Sequence, residues 1–177
     1  MILAGRVEVD RKRIEKAGAP VADDAEIRVA GPPHPYVSRG GVKLEAALDR
    51  FGIDPSGRVC LDVGASTGGF TDCLLARGAA RVYAVDVGSG QIDAKLRRDP
   101  RVLLREKVNA RFLSREHVPE PVSLAVMDLS FISVRLVMPA VVPLLSPGAA
   151  LVVLVKPQFE AGRAEVPRGG VVRSEQT

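Results

Sequence analysis

Three ionisable residues sit where regular segments of the sequence begin or end. Lys43 lies in Ser38-Arg-Gly-Gly-Val-Lys-Leu-Glu45, at the start of a segment with helical spacing. Asp128 follows the apolar run Val122-Ser-Leu-Ala-Val126, and Lys156 follows the apolar run from Ala150 to Val155. Pro157 biases Lys156 toward extended backbone and so pins it at a strand tip. If the two runs are successive strands, Asp128 and Lys156 point into one crevice. A neutral lysine amine can remove the proton of a poor nucleophile such as an alcohol. Free lysine has a pKa of about 10.4, so such a base needs a second cation and partial burial to become neutral near pH 7, while a carboxylate opposes that shift. Lys43, Asp128 and Lys156 are therefore expected to form the catalytic group, with Asp128 orienting the lysines. Each alone also fits a solvated strand end. Their coincidence beside the glycine-rich loop at Gly64 favours the chemistry.

That loop is Leu61-Asp-Val-Gly-Ala-Ser-Thr-Gly-Gly-Phe-Thr-Asp72. A strand ends, small residues follow and a helix begins, which in a doubly wound sheet is the crossover that faces the ligand crevice. Gly64, Gly68 and Gly69 allow backbone to approach a ligand closely. A dinucleotide fingerprint needs glycine where Ser66 stands, and a P-loop needs a terminal Gly-Lys-Ser/Thr, so both fail. The carboxylate of Asp62 would repel a pyrophosphate and suits a cation such as the ammonium of a methionine moiety. Asp86, about 20 positions beyond the loop and at the end of the next strand, is placed for ribose hydroxyls. Loop, Asp62 and Asp86 together resemble the S-adenosylmethionine site of class I methyltransferases. Asp62, Gly64, Ala65, Ser66, Thr67, Gly68, Gly69, Phe70, Asp86 and Asp128 are expected to hold that cofactor.

With a sulfonium donor, the lysine group suits in-line attack by a ribose 2′-hydroxyl. Amine methylation often uses Asn/Asp-Pro-Pro-aromatic, and Asp128-Leu-Ser-Phe131 lacks the prolines. Base C5 methylation needs a cysteine nucleophile. Cys60 and Cys73 lie in apolar runs instead and read as buried, reduced thiols. His34 and His117 have no metal-ligand spacing, so no metal site is expected. The net charge of +4 and pI near 9.4 allow a polyanionic partner without requiring one. No apolar stretch is long enough for a membrane span and no signal peptide is evident, so no membrane partner and a cytoplasmic location are expected.

The elements that must position these residues alternate along the chain. Pro-rich Gly31-Pro-Pro-His-Pro35 separates a short front module from the rest. In the module, Arg6 to Val9 and Glu26 to Val29 alternate like strands, with Gly18 and Pro20 as turn residues between them. Met1 to Gly5 reads as the last turn of a helix with a glycine cap. Beyond the hinge, helices are expected over Val42–Phe51, Gly69–Arg77, Ile92–Arg98, Ala110–Glu116 and Val134–Leu145, the last kinked or bounded by Pro139 and Pro143. Strands are expected over Val59–Val63, Arg81–Val85, Val102–Leu104, Val122–Val126 and Ala150–Val155. Continuously apolar strands between helices indicate a mostly parallel sheet covered on both faces, a Rossmann-like α/β fold.

Val37-Ser-Arg-Gly-Gly-Val-Lys43, Asp62 to Phe70, Met127-Asp-Leu-Ser-Phe-Ile-Ser133 and Val155-Lys-Pro-Gln-Phe-Glu160 resemble the TlyA family, bacterial rRNA cytidine-2′-O-methyltransferases also labelled haemolysins. The resemblance implies a partial S4-like RNA-binding module over 1–30, a linker over 31–37 and an FtsJ-like methyltransferase domain over 38–177. It implies S-adenosylmethionine as cofactor and ribosomal RNA in ribosomal subunits as partner. It also implies a Lys-Asp-Lys-Glu tetrad in which Lys43, Asp128 and Lys156 match the first three members. The glutamate and the last two strands of the domain would fall beyond Thr177, and the front of the S4 module before Met1, which would leave the strand at Ala150–Val155 as an apolar edge. Arg6, Arg11, Lys12 and Arg39 are expected to contact RNA, and Arg163, Arg168 and Arg173 could extend a phosphate path. Charge alone does not mark the front module as RNA-binding, because six acidic residues nearly cancel its basic ones; the S4 resemblance carries that expectation. Two other functions fit the sequence: a non-catalytic RNA-binding factor, and a membrane-active haemolysin, for which no basic amphipathic helix is visible. Oligomeric state is left open.

Overall fold

The structure is a computed structural model and describes residues 7–14, 16, 18–29 and 34–161. The chain divides into two compact units, Met1–Pro35 and Tyr36–Thr177.

The first unit is a three-stranded antiparallel sheet, β1 (Val7–Val9), β2 (Lys12–Ile14) and β3 (Ile27–Val29), in the order β2-β1-β3. The expected strands are each present one residue shorter: Arg6 lies outside the described residues, as does the turn expected over Met1–Gly5, and Glu26 lies just before β3. The additional strand is β2. Its charged sequence hides it, and so does the turn before it: Asp10 and Arg11, at φ 49° and 66°, form a two-residue hairpin turn with no glycine. Glu8 stands opposite both Arg13 and Arg28, a cross-strand alternation of charge that supports this register.

The second unit carries a five-stranded parallel sheet. Its strands are β4 (Val59–Val63), β5 (Arg81–Val85), β6 (Val102–Arg105), β7 (Val122–Met127) and β8 (Leu145–Val153), in the order β6-β5-β4-β7-β8. Side chains alternate between two cores. Cys60 of β4 faces one core, with Leu44 and Leu48 of helix α1 (Gly40–Phe51) and Leu74 of helix α2 (Gly69–Ala76). Leu61 and Val63 face the other, with Val118, Val137, Val141 and Leu144. Five strands covered on both faces are the Rossmann-like α/β architecture expected from the pattern. The chain winds outward in both directions from β4 and β7, so the crevice at their carboxyl ends is the switch point where such sheets bind ligands.

α1 forms because Gly41, Leu44 and Leu48 recur on one buried face, and it stops at Gly52, whose φ of 64° ends the helix. The smaller helices differ from expectation. Only Ala94–Arg97 is helical (α3) within 92–98, started by Asp93, whose carboxylate accepts from the Lys95 amide. Ala110–Glu116 shrinks to a 3-10 turn at Ala110–Phe112. The helix expected over Val134–Leu145 breaks into a 3-10 turn (Val134–Leu136), α4 (Met138–Val141) and a second turn (Val142–Leu144). Pro139 and Pro143 each sit near the start of a new piece, where a missing N–H costs nothing. β8 starts earlier and ends earlier than Ala150–Val155. Val122 pairs with Leu145 and Leu124 with Ala150, so Ser146–Ala149 loops out of register. β8 is an edge of the sheet among the described residues. No described helix is long and apolar enough to cross a membrane.

Candidate active site

Asp128 directly follows β7, and its amide donates to the Val63 carbonyl at 3.3 Å, which holds it at the switch point. Lys156 follows β8 with φ −114° and ψ 101°, the extended backbone that Pro157 imposes. Lys43 projects from the first turns of α1. The three side chains meet. The Lys156 ammonium lies 2.7 Å from Asp128 Oδ1, a charge contact without hydrogen-bond geometry. The Lys43 ammonium donates to Asp128 Oδ2 at 3.4 Å. One carboxylate thus stands between two lysine amines. Lys156 also donates to Ser130 Oγ at 2.8 Å. Lys43 is 49% exposed against 22% for Lys156, so the two amines differ in access to water.

The glycine loop is shaped by backbone demands. Gly64 has φ 88°, and a Cβ there would come 3.0 Å from the Asp128 carbonyl oxygen. Gly68 has φ 96°, and its Cβ would collide with Leu96. Ser66 takes φ 49°, rare for a residue with a side chain, and the Asp86 carboxylate secures it by accepting from the Ser66 amide at 2.7 Å. The other oxygen of Asp86 accepts from the Gly88 amide, also at 2.7 Å. Gly69 lets α2 meet α1: a Cβ on Gly69 would come within 2.9 Å of the Gly41 nitrogen.

Asp62 is not at the surface of the crevice but wholly buried within β4. Thr71 of α2 donates to its Oδ2 at 2.7 Å, while Oδ1 has no hydrogen-bond partner among the described residues. Burial pushes its carboxyl up to about 7, and the Thr71 hydrogen bonds oppose that shift. An unpaired buried carboxylate oxygen carries a desolvation cost that a cation would relieve.

Two adjoining clefts open over these residues. The larger, about 560 Å³, is lined by Ser66, Asp86, Gln91, Asn109 and Phe131, among others. The smaller, about 200 Å³, is lined by Ser38, Lys43, Phe70, Ser130 and Lys156, among others. Gly64, Ser66, Asp128 and Ser130 border both. Thus Gly64, Ala65, Ser66, Thr67, Gly69, Phe70, Asp86 and Asp128 line one or both clefts, whereas Gly68 shapes the turn from behind. Ser130, Gln91, Asn109 and Ser38 escaped the sequence reading. Ser130 lies three residues past the end of β7 and could have been suspected; nothing local marks the others.

Cys60 and Cys73 are free and buried, and burial pushes their thiols up to about 12 and about 11, so neither is an activated nucleophile. Arg39 is exposed just before α1, and Arg11 and Lys12 are exposed at the hairpin of the first unit. Arg6, Arg163, Arg168 and Arg173 lie outside the described residues.

The FtsJ-like methyltransferase family matches residues 36–177. Over 177 residues the chain is 49% identical to the 16S/23S rRNA (cytidine-2′-O)-methyltransferase TlyA of Mycobacterium tuberculosis, covering 99% of this chain and 66% of that protein. It is 44% identical to Hemolysin A of Brachyspira hyodysenteriae, covering 99% of this chain and 73% of that one. Among solved structures, a Streptococcus thermophilus protein named as a hemolysin superposes with a TM-score of 0.82 at 43% identity, over 99% of this chain and 64% of its own. The chain therefore spans about two thirds of the length of these relatives.

Proposed function

Because the chain belongs to the FtsJ-like methyltransferase family, and within it to the TlyA group, we propose that it transfers a methyl group from S-adenosylmethionine to a ribose 2′-hydroxyl, that of a cytidine in ribosomal RNA. The observation that carries this reading is the Asp128 carboxylate held between two lysine amines at the rim of a glycine-built cleft.

The residues suit the cofactor. The larger cleft would take the nucleoside, with Asp86 beside it for the ribose hydroxyls. The free Oδ1 of Asp62 is a buried acceptor for the ammonium of the methionine end. When bound, S-adenosylmethionine supplies an electrophilic methyl on a positively charged sulfur. The chain's part is to position the alcohol and take its proton. Lys156 is the group placed to take the proton of the attacking 2′-hydroxyl. Asp128 fixes the direction of the Lys156 amine, and Ser130 Oγ accepts a hydrogen bond from it. The more exposed Lys43 adds positive charge beside the developing alkoxide.

Ribosomal subunits are the substrate under this reading. Arg39, together with Arg11 and Lys12 of the S4-like first unit, contributes phosphate contacts, and the protein acts in the cytoplasm. The test is transfer of labelled methyl to ribosomal subunits followed by nucleoside digestion. The expected product is 2′-O-methylcytidine, absent with Lys156→Ala. RNA binding that is indifferent to Lys156, with no methyl transfer, would favour a binding factor instead.

A further inference from the structure

Glu160 lies four residues beyond Lys156, at the end of the short helix α5 (Pro157–Glu160) that follows β8. Its carboxylate is half-buried and turned toward the loop after β7. Oε2 accepts from the Ser133 hydroxyl at 2.6 Å, and Oε1 accepts from the Val134 amide at 2.8 Å. On the same seam, the Phe159 ring meets that of Phe131, with centroids 5.3 Å apart. The loop that Glu160 grips is the one that carries Asp128 and Ser130, and these are the two partners of the Lys156 amine. The two strand-tip segments are therefore tied twice: at the reacting end through Lys156, and at the far end through Glu160.

We infer that Glu160 is a positioning residue for the proposed methyl transfer, setting the Lys156 amine against Asp128 and Ser130 by clamping α5 to the loop after β7. Three features support this. Both carboxylate oxygens are engaged across the gap between segments, not within α5. A charged acceptor makes hydrogen bonds roughly twice as strong as neutral ones. Phe131 occupies φ 64° and is 91% exposed as a residue, a backbone state that costs energy in a bulky residue. Leu129 and Ile132 pack that loop on the core, and the Glu160 tethers add a polar hold beyond the exposed Phe131.

The inference rests on the proposed function for its catalytic meaning, but it has a readout that needs no turnover. Competitive acylation of lysine amines, followed by mass spectrometry, reports how firmly Lys156 is held. Glu160→Ala should raise the labelling rate of Lys156 several-fold while leaving Lys95, on α3, unchanged. Glu160→Gln keeps an acceptor and the shape, so it should remain near the parent protein. In methyl transfer, Glu160→Ala should lower kcat by roughly ten- to a hundredfold, as expected for a misplaced catalytic group, with cofactor Kd changed less than about twofold. Ser133→Ala should lose less, and combined with Glu160→Ala it should add nothing. Should Glu160→Ala fail to fold, Ser133→Ala and Glu160→Gln still order the effects. The inference is overturned if Lys156 labels at the parental rate in a folded Glu160→Ala protein, or if cofactor Kd rises in step with the fall in kcat. If the parent protein transfers no methyl but Lys156 labelling still responds to Glu160, the clamp stands and the proposed reaction fails.

Discussion

The tips of β4 and β5 and the tips of β7 and β8 border the same crevice but are held by different means. On the β4–β5 side the chain is shaped by backbone. Gly64 and Gly68 adopt positive φ, and the Asp86 carboxylate gathers two amides from two loops. On the β7–β8 side the geometry rests on side chains: Lys43 and Lys156 on Asp128, Lys156 on Ser130, and Glu160 on Ser133. A backbone-built cradle suits binding, because it costs no reordering when the ligand arrives. A side-chain-built cluster suits chemistry, because ion pairs can be exchanged as a proton moves. The two halves should therefore fail differently when damaged.

The largest effect is expected from Lys156→Ala. Removal of a general base costs on the order of a hundred- to ten-thousandfold in turnover, while cofactor Kd, measured by calorimetry, should stay within about twofold. An equal loss of cofactor affinity would collapse the distinction between the halves. Next is Gly68→Ala. Positive φ and the collision with Leu96 should cost about 1–3 kcal/mol in chemical denaturation, accompanied by weaker cofactor binding. Asp86→Ala should follow, weakening the cofactor about tenfold, the equivalent of about 1.4 kcal/mol, with kcat at saturating cofactor little changed.

The smallest effect is a pH dependence. The folded Asp62 carboxyl, raised to about 7, holds its proton more tightly than the unfolded one near 3.8. Its contribution to folding is thus fully present below the unfolded value and is lost as pH rises through about 7. Cofactor binding runs the other way, since only the ionised carboxylate attracts an ammonium. Affinity should therefore fall as pH drops below about 7, and Asp62→Asn should flatten that limb. Thermal unfolding and calorimetry across pH 5 to 8 check both signs.

The same contrast explains what could be read from the sequence. Backbone demands leave residue types behind, so the Gly64–Gly69 turn, Asp86 one crossover later and the apolar strands were all legible. Lys156 was legible because Pro157 marks a strand tip. Gln91 and Asn109 meet the clefts only through tertiary placement, and Glu160 reaches Ser133 across 27 positions, so no local pattern announces them. Asp62 was placed at the right strand, but its complete burial depended on α2 and Thr71 closing over it. The β2 strand was hidden because a hairpin turn of Asp10 and Arg11 lacks the usual glycine. The helix expected over Val134–Leu145 broke because two prolines four residues apart leave too few amides to sustain it.

The most direct test of the central claim is a crystal structure of the protein with S-adenosylmethionine bound. The account expects the nucleoside in the larger cleft beside Asp86, the ammonium within hydrogen-bond reach of Asp62 Oδ1, and the methyl directed to the cleft that Lys156 and Asp128 border. A cofactor bound elsewhere, or one whose methyl faces away from Lys156, would contradict it.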